Sequence, residues 1–404
     1  MPTVGFPLFR PAMLFLLLMY SLNFGGASAR PITLLEQRTD TPCNDLNNCR
    51  TRWNIIWSCL STVFLCTWVT LHPNIAIAPD TRRVGWIERS VWHPLRFLMK
   101  NRLPLFLCAL VAPEYILAWA IRQYIQAGEI QRQCHASQTN TEAKGSTPVR
   151  EWKRAHGFFL IMGGFHLFTL PDGAPSIPYP PESSISVQFV LPLPGYSRED
   201  EKAEHPLGFD DLSPNTLAYF APTEREIKDR GKADAIAKLL ALLQTSWFVA
   251  QCIARRVNNL PLTELEVVTL AYGMMNVFIY YFWWDKPKEV ECPIRIYKTS
   301  KTDRSKMERR GRKQWNSVGE RQLFFRVFIY LVGQALDVWF TLSEDTQVPM
   351  FWSGNLDYSI VLLSTLGAMT IGMGFGAIHF IAWNSEFPSN IEPLLWRIEY
   401  PPSQ

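Results

Sequence analysis

Six stretches of this chain are strongly apolar and nearly free of charge: residues 53–71, 103–121, 239–253, 267–284, 323–340 and 359–383. A bilayer core about 30 Å thick is crossed by about 20 apolar helical residues, and runs of this kind leave few other folds open. The stretch at 239–253 is short, but a helical lead-in from Ile227 lengthens it. The expected fold class is all-α: a polytopic membrane helix bundle. Composition agrees, with 48% hydrophobic residues, 13% aromatic residues and a formal net charge of only +4. So small a charge on a chain of this length does not imply nucleic acid as a partner.

The N-terminus reads as a secretory signal. Arg10 precedes the apolar core "AMLFLLLMYSLNF", and small residues follow to Ala29. Residues 1–29 are expected to be cleaved, with retention as an anchor the alternative. Residues 30–52 are then luminal, and Cys43 and Cys49 could pair there in an oxidising lumen. Cys59, Cys66, Cys108 and Cys252 fall in apolar runs and read as small buried hydrophobes.

Residues 158–170, "FFLIMGGFHLFTL", are too short to cross unaided. The flanking charges argue for a crossing. Residues 73–102 are rich in Arg, and residues 285–322 contain "RSKMERRGRKQ". The positive-inside rule puts both in the cytosol, which requires an even number of crossings between them. Counting 158–170 as a span, begun near His156, gives seven spans after signal removal. The expected bundle covers residues 53–383 and carries a Pro-rich loop at 171–225, a basic cytosolic loop at 285–322 and a tail at 384–404. Residues 122–155 read as a polar, luminal stretch. Placement is expected in the endoplasmic reticulum or another endomembrane.

The sequence has no Walker loop, dinucleotide fingerprint, zinc-protease motif or nucleophile elbow. Asp210–Asp211 lacks the third acid of a magnesium–diphosphate motif, so neither a metal nor another cofactor is expected. What remains are isolated acids near aromatics. Glu114 lies mid-span; it is either a structural hydrogen-bonding group or a carboxylic acid kept neutral by burial, and so a general acid. Asp337, in the sixth span, is the runner-up. Thr263 and Glu266 fit a capping box at the start of the fifth span, with Glu266 a further candidate acid. His156 is a further candidate catalytic residue, next in line with Glu266 as proton donor, or a satisfied structural group. Tyr280, Tyr281, Trp283 and Trp284, in "YYFWW", form either an interface belt or a ring-lined wall able to stabilise a carbocation. Gly372 and Gly376 read as a helix-packing motif.

The segments "TRWNIIWSCLSTVFLCTWVTLHPNI", "APEYILAWAIRQ", "HGFFLIMGGF", "LTELEVVTLAYG" and "YYFWWDKP" occur in an order that resembles a large group of filamentous-fungal multi-pass membrane proteins. The resemblance covers most of the chain apart from the signal and the Pro-rich loop. Some of those proteins look like the membrane terpene cyclases of meroterpenoid pathways of the ascochlorin and ascofuranone type. The resemblance implies an acid-initiated cyclisation of a prenyl chain, or of its terminal epoxide, with a lipophilic substrate, no cofactor and no protein partner specified. It transfers no catalytic role by position. A multi-pass transporter or receptor is the competing class, and the lack of paired halves weighs against it.

Overall fold

The computed structural model describes most of residues 52–299 and 348–380; residues 1–51, 300–347 and 381–404, and the shorter stretches 76–84, 143–151, 179–188 and 193–201, lie outside it, with a few single positions. Helix α1, Arg52–Thr70, carries no charge after its first residue. Several of its hydroxyls bond back within the helix: Thr62 donates to Ser58 O at 2.7 Å and Thr70 to Cys66 O at 2.5 Å. Helices α2, Leu103–Val111, and α3, Pro113–Glu142, meet at a 112° bend. The residue before a proline is pushed out of the helical region, and Ala112 stands at φ −140°, ψ 71°.

Helix α4, Arg154–Ile161, leads through a turn into β1, Phe165–Leu170. Strands β2, Ser176–Pro178, β3, Phe189–Pro192, and β4, Lys202–Pro206, follow. A short helix, α5, Glu224–Asp229, precedes α6, Lys232–Val257, and α7, Glu264–Phe282. Strand β5, Ile294–Thr299, and α8, Tyr358–Phe380, complete the described chain. The sheet has the order β2-β3-β5-β1-β4, and β1 and β5 are its parallel pair.

Residues 158–170 are therefore not a span, and the fold is mostly helical with a small sheet, not all-α. The helix stops at Met162 because Gly163 takes φ +90°, a left-handed conformation that glycine adopts without a Cβ penalty. Gly164 packs against the Phe159 ring so closely that a Cβ there would lie 2.3 Å from it. Beyond the turn, "FHLFTL" has the aromatic and β-branched character of a strand, and β5 gives it a parallel partner. Within the polar stretch 122–155, α3 continues to Glu142.

Among the described residues, three helices, α1, α7 and α8, are long and apolar enough to cross a membrane, with a fourth candidate span if the bent α2–α3 pair counts as one. This is consistent with a membrane protein; the expected seven spans are not shown, and the predicted sixth span, 323–340, lies outside the described residues. Outward-facing Leu60, Leu363 and Met373 fit an apolar surrounding. Helices α1 and α7 pack together, and their C-terminal ends converge. Helix α6 runs antiparallel to α1. Near its start, Ala241 packs with Leu65 and Val69, while near its end Phe248 and Cys252 pack with Cys59. Cys59, Cys66 and Cys252 are buried and Cys108 half-buried, as expected for small apolar side chains.

Candidate functional site: a buried lysine between two tryptophans

Three chain segments meet where α1 and α7 end. They are "TLHPNI" after α1, "AWAIRQ" within α3 and "FWWDKP" after α7. At the centre stands Lys286, 2% exposed. Its ammonium nitrogen donates to His72 O at 2.5 Å and to Gln123 Oε1 at 2.8 Å, with Asn74 Oδ1 further off at 3.5 Å. It also lies 4.6 Å from the ring centroids of both Trp119 and Trp283. Its hydrogen-bonding partners are neutral, so burial pushes the Lys286 pKa well below the ordinary lysine range.

Gln123 ties the cluster together. Its amide donates to Trp352 O at 2.8 Å and to Asn74 Oδ1 at 3.1 Å, while its carbonyl accepts from Trp283 Nε1 at 3.0 Å. Trp119 Nε1 donates to Trp352 O at 3.1 Å, so the loop before α8 is fastened to α3 from two positions. His72 lies 2.6 Å, through Nδ1, from Thr70 O, which fixes Nδ1 as the protonated nitrogen of a neutral ring. Its Nε2 is then an acceptor, fully buried and without a hydrogen-bond partner among the described residues. Burial first, then the nearby Lys288 and Lys238 charges, holds its pKa well below the usual histidine value. Lys288 donates to Val69 O at 2.6 Å.

An unbroken row of rings leads away from this centre. His72 and Trp283 are 5.6 Å apart, Trp283 and Trp119 4.9 Å, Trp119 and Phe351 5.4 Å, and Phe351 and Tyr115 4.8 Å. Next to Tyr115 stands Glu114, in the first turn of α3 and half-buried at the α2–α3 bend. It faces α8: a Cβ on Gly372 would lie 3.2 Å from the Glu114 Cβ, so this glycine lets the two helices approach. The other side of the bend is held by Tyr272, ten residues before the end of α7, whose hydroxyl donates to Leu110 O. Glu114 and Gln123 are nine residues apart on α3, roughly 14 Å by helical rise.

The remaining predicted residues are placed separately. Glu266 is buried in the capping box: its Oε2 accepts from Thr263 N and Thr263 Oγ1, both at 3.0 Å. His156 is buried and engaged at both nitrogens, with Lys153 N donating to Nδ1 at 3.0 Å and Pro222 O 3.0 Å from Nε2. Burial lowers its pKa despite those bonds. The "YYFWW" set divides. Trp283 is fully buried and Tyr280 half-buried, whereas Tyr281 and Trp284 are 64% and 68% exposed and suit an interface belt. Asp211 caps a turn through Gly208 N at 2.8 Å. Asp337 lies outside the described residues, and no group of three or more potential metal ligands occurs among those described.

Lys286, His72, Gln123, Asn74 and Trp119 were not singled out by sequence reasoning. A signal existed: a lysine three residues after a tryptophan, at the mouth of an apolar helix, and a histidine and asparagine within a resembling motif. Neither curated proteins nor solved structures return a match to this chain. A family profile matches residues 29–176 and 220–309, more than half of the chain and all three segments of the buried cluster. The chain belongs to DUF8562, a family of unknown function.

Proposed function

We propose that this protein is a membrane-bound terpene cyclase that folds up the prenyl, or epoxy-prenyl, chain of a meroterpenoid. The observation that carries the reading is the row of rings from Tyr115 to His72, with a carboxyl group beside one end and, at the other, an imidazole nitrogen with no hydrogen-bond partner among the described residues. The substrate lies along α3. Glu114 gives its proton to the terminal epoxide oxygen or alkene carbon, the C–O or π bond opens, and a carbocation forms. Ring faces stabilise cations, most strongly those of tryptophan, so Trp119 and Trp283 hold the charge as new C–C bonds form. A carbon next to the final cation loses its proton to His72 Nε2, leaving an alkene. Product and substrate are isomers; proton exchange with water resets the two side chains. Lys286, buried with neutral hydrogen-bond partners, donates to the His72 carbonyl and to Gln123 and orients this end of the site.

The membrane arrangement belongs to the same proposal. Helices α1, α6, α7 and α8 cross; α2 and α3 enter from one face and return to it, with Glu114 at the turning point. The convergence of the α1 and α7 ends supports this, because the basic stretches that follow each helix then emerge on one face, the cytosolic one of an endomembrane. The test is microsomal expression in a heterologous fungus with prenylated and epoxidised aromatic substrates. A product of unchanged mass and altered retention is expected. Unreacted substrate in the presence of folded protein refutes the reading.

A further inference from the structure

A second site lies on α3 beyond the buried cluster, where Tyr124, Ile125, Gly128, Gln131, Arg132 and His135 face Arg154 of α4 across an open groove of about 530 Å³. Nothing in the cyclisation scheme uses it. The Arg154 guanidinium carbon lies over the Tyr124 ring, 4.0 Å from its centroid. Its Nε is buried and has no hydrogen-bond partner among the described residues. A shielded, unmet guanidinium donor is costly, and a bound anion would offset that cost. Arg154 also opens α4, where the helix dipole disfavours a cation. Its neighbour Lys153 is already paired with Glu224 at 2.7 Å, so that acid is committed elsewhere. Gly128 adds no side chain, and a Cβ there would lie 3.7 Å from the Arg154 nitrogens. Arg132 is 75% exposed and paired with Glu129 at 2.5 Å, a pair that an anion of higher charge can compete with. Tyr124 lies 6.4 Å from the exposed Tyr281, which sets the groove level with the aromatic belt at the end of α7, the depth of lipid headgroups.

We infer that this groove binds a phosphoryl anion through Arg154 and Arg132, with His135 at its edge. Fork-shaped guanidinium groups match phosphate oxygens in pairs, and Tyr124 keeps one fork oriented. The inference rests on the proposed function only for the membrane arrangement; it concerns other residues than the cyclisation and is read by binding alone. The ligand is a membrane phosphomonoester lipid or a free phosphate compound, and one experiment separates the two. Full-length protein in detergent is titrated with phosphatidic acid, phosphatidylcholine and inorganic pyrophosphate, with native mass spectrometry counting adducts and thermal shift reporting occupancy. Preferential binding of phosphatidic acid over phosphatidylcholine identifies a headgroup site; binding of pyrophosphate alone identifies a site for a free ligand. In either case Arg154→Gln lowers apparent affinity at least about tenfold and Arg132→Gln lowers it less, while Arg256→Gln, on exposed α6, has no effect. Raised salt weakens binding. If Arg154→Gln fails to fold, the exposed Arg132→Gln decides. Absence of binding to all three probes, or binding unchanged in the arginine variants, overturns the inference.

Discussion

Gln123 and Lys286 share one hydrogen-bond cluster, yet their removal should differ sharply. Replacing Lys286 with Met keeps the length and apolar body of the side chain. Gln123 Oε1 still receives Trp283 Nε1, and Asn74 Oδ1 still receives Gln123 Nε2, so the loss falls on His72 O. A stranded buried carbonyl costs about 1–3 kcal/mol, and relief of the burial of an ionisable amine offsets part of it. Gln123→Leu breaks four bonds at once: those to Trp352 O and Asn74 Oδ1, and those from Trp283 Nε1 and Lys286 Nζ. It strands the Trp283 indole donor and leaves Trp352 O, Asn74 Oδ1 and Lys286 Nζ with one buried partner fewer each, for an expected cost of about 3–5 kcal/mol. Heating the detergent-solubilised variants and following the monodisperse fraction by size-exclusion chromatography ranks them. The expected order is wild type, Lys286→Met slightly below it, and Gln123→Leu far below both. If Lys286→Met melts as early as Gln123→Leu, then Lys286 holds the cluster together as strongly as Gln123 does, which refutes this ranking.

Thr263→Ala removes the cap of α7 and should cost about 1 kcal/mol, read as a lower melting temperature with unchanged oligomeric state. A Cβ on Gly157 would lie 2.5 Å from the Ala127 carbonyl oxygen, so Gly157→Leu should force α3 and α4 apart and reduce the yield of folded protein. His166, buried on β1, has its pKa pushed down to about 4 by burial first and by the His205 charge, with Glu204 opposing. The unfolded chain binds that proton nearer pH 6.5, so stability falls as pH drops from about 6.5 to about 4, by on the order of 3 kcal/mol. A pH series of melting temperatures should show this slope in wild type, and a shallower one in His166→Phe.

What could be read from the sequence was local. Helices α1, α7 and α8 are apolar runs that announce themselves, and the Thr263–Glu266 box is a four-residue pattern that needs no tertiary knowledge. The close approach of α8 to α3 at Gly372 likewise follows from a small-residue spacing. The sheet was not readable because β1 pairs with residues 294–299, far along the chain, and its flanking helix and strand join into one apolar run of ambiguous period. The site was half readable. Glu114 stood out as an acid among apolar residues, but Lys286 looked like a cytosolic flank of an interface belt. Only the convergence of α1, α3 and α7 shows that its side chain turns inward between Trp119 and Trp283.

Glu114 is the proposed proton donor that starts the cyclisation. Glu114→Gln keeps the shape and hydrogen-bonding capacity of the side chain and removes the acidic proton. General acid catalysis contributes about 10²–10⁴-fold, and turnover of an epoxy-prenyl substrate in microsomes should fall by that order, with protein level and folding near wild type. Glu114→Leu, by contrast, should harm folding if the residue serves packing and hydrogen bonding alone. Full turnover in Glu114→Gln would contradict the claim.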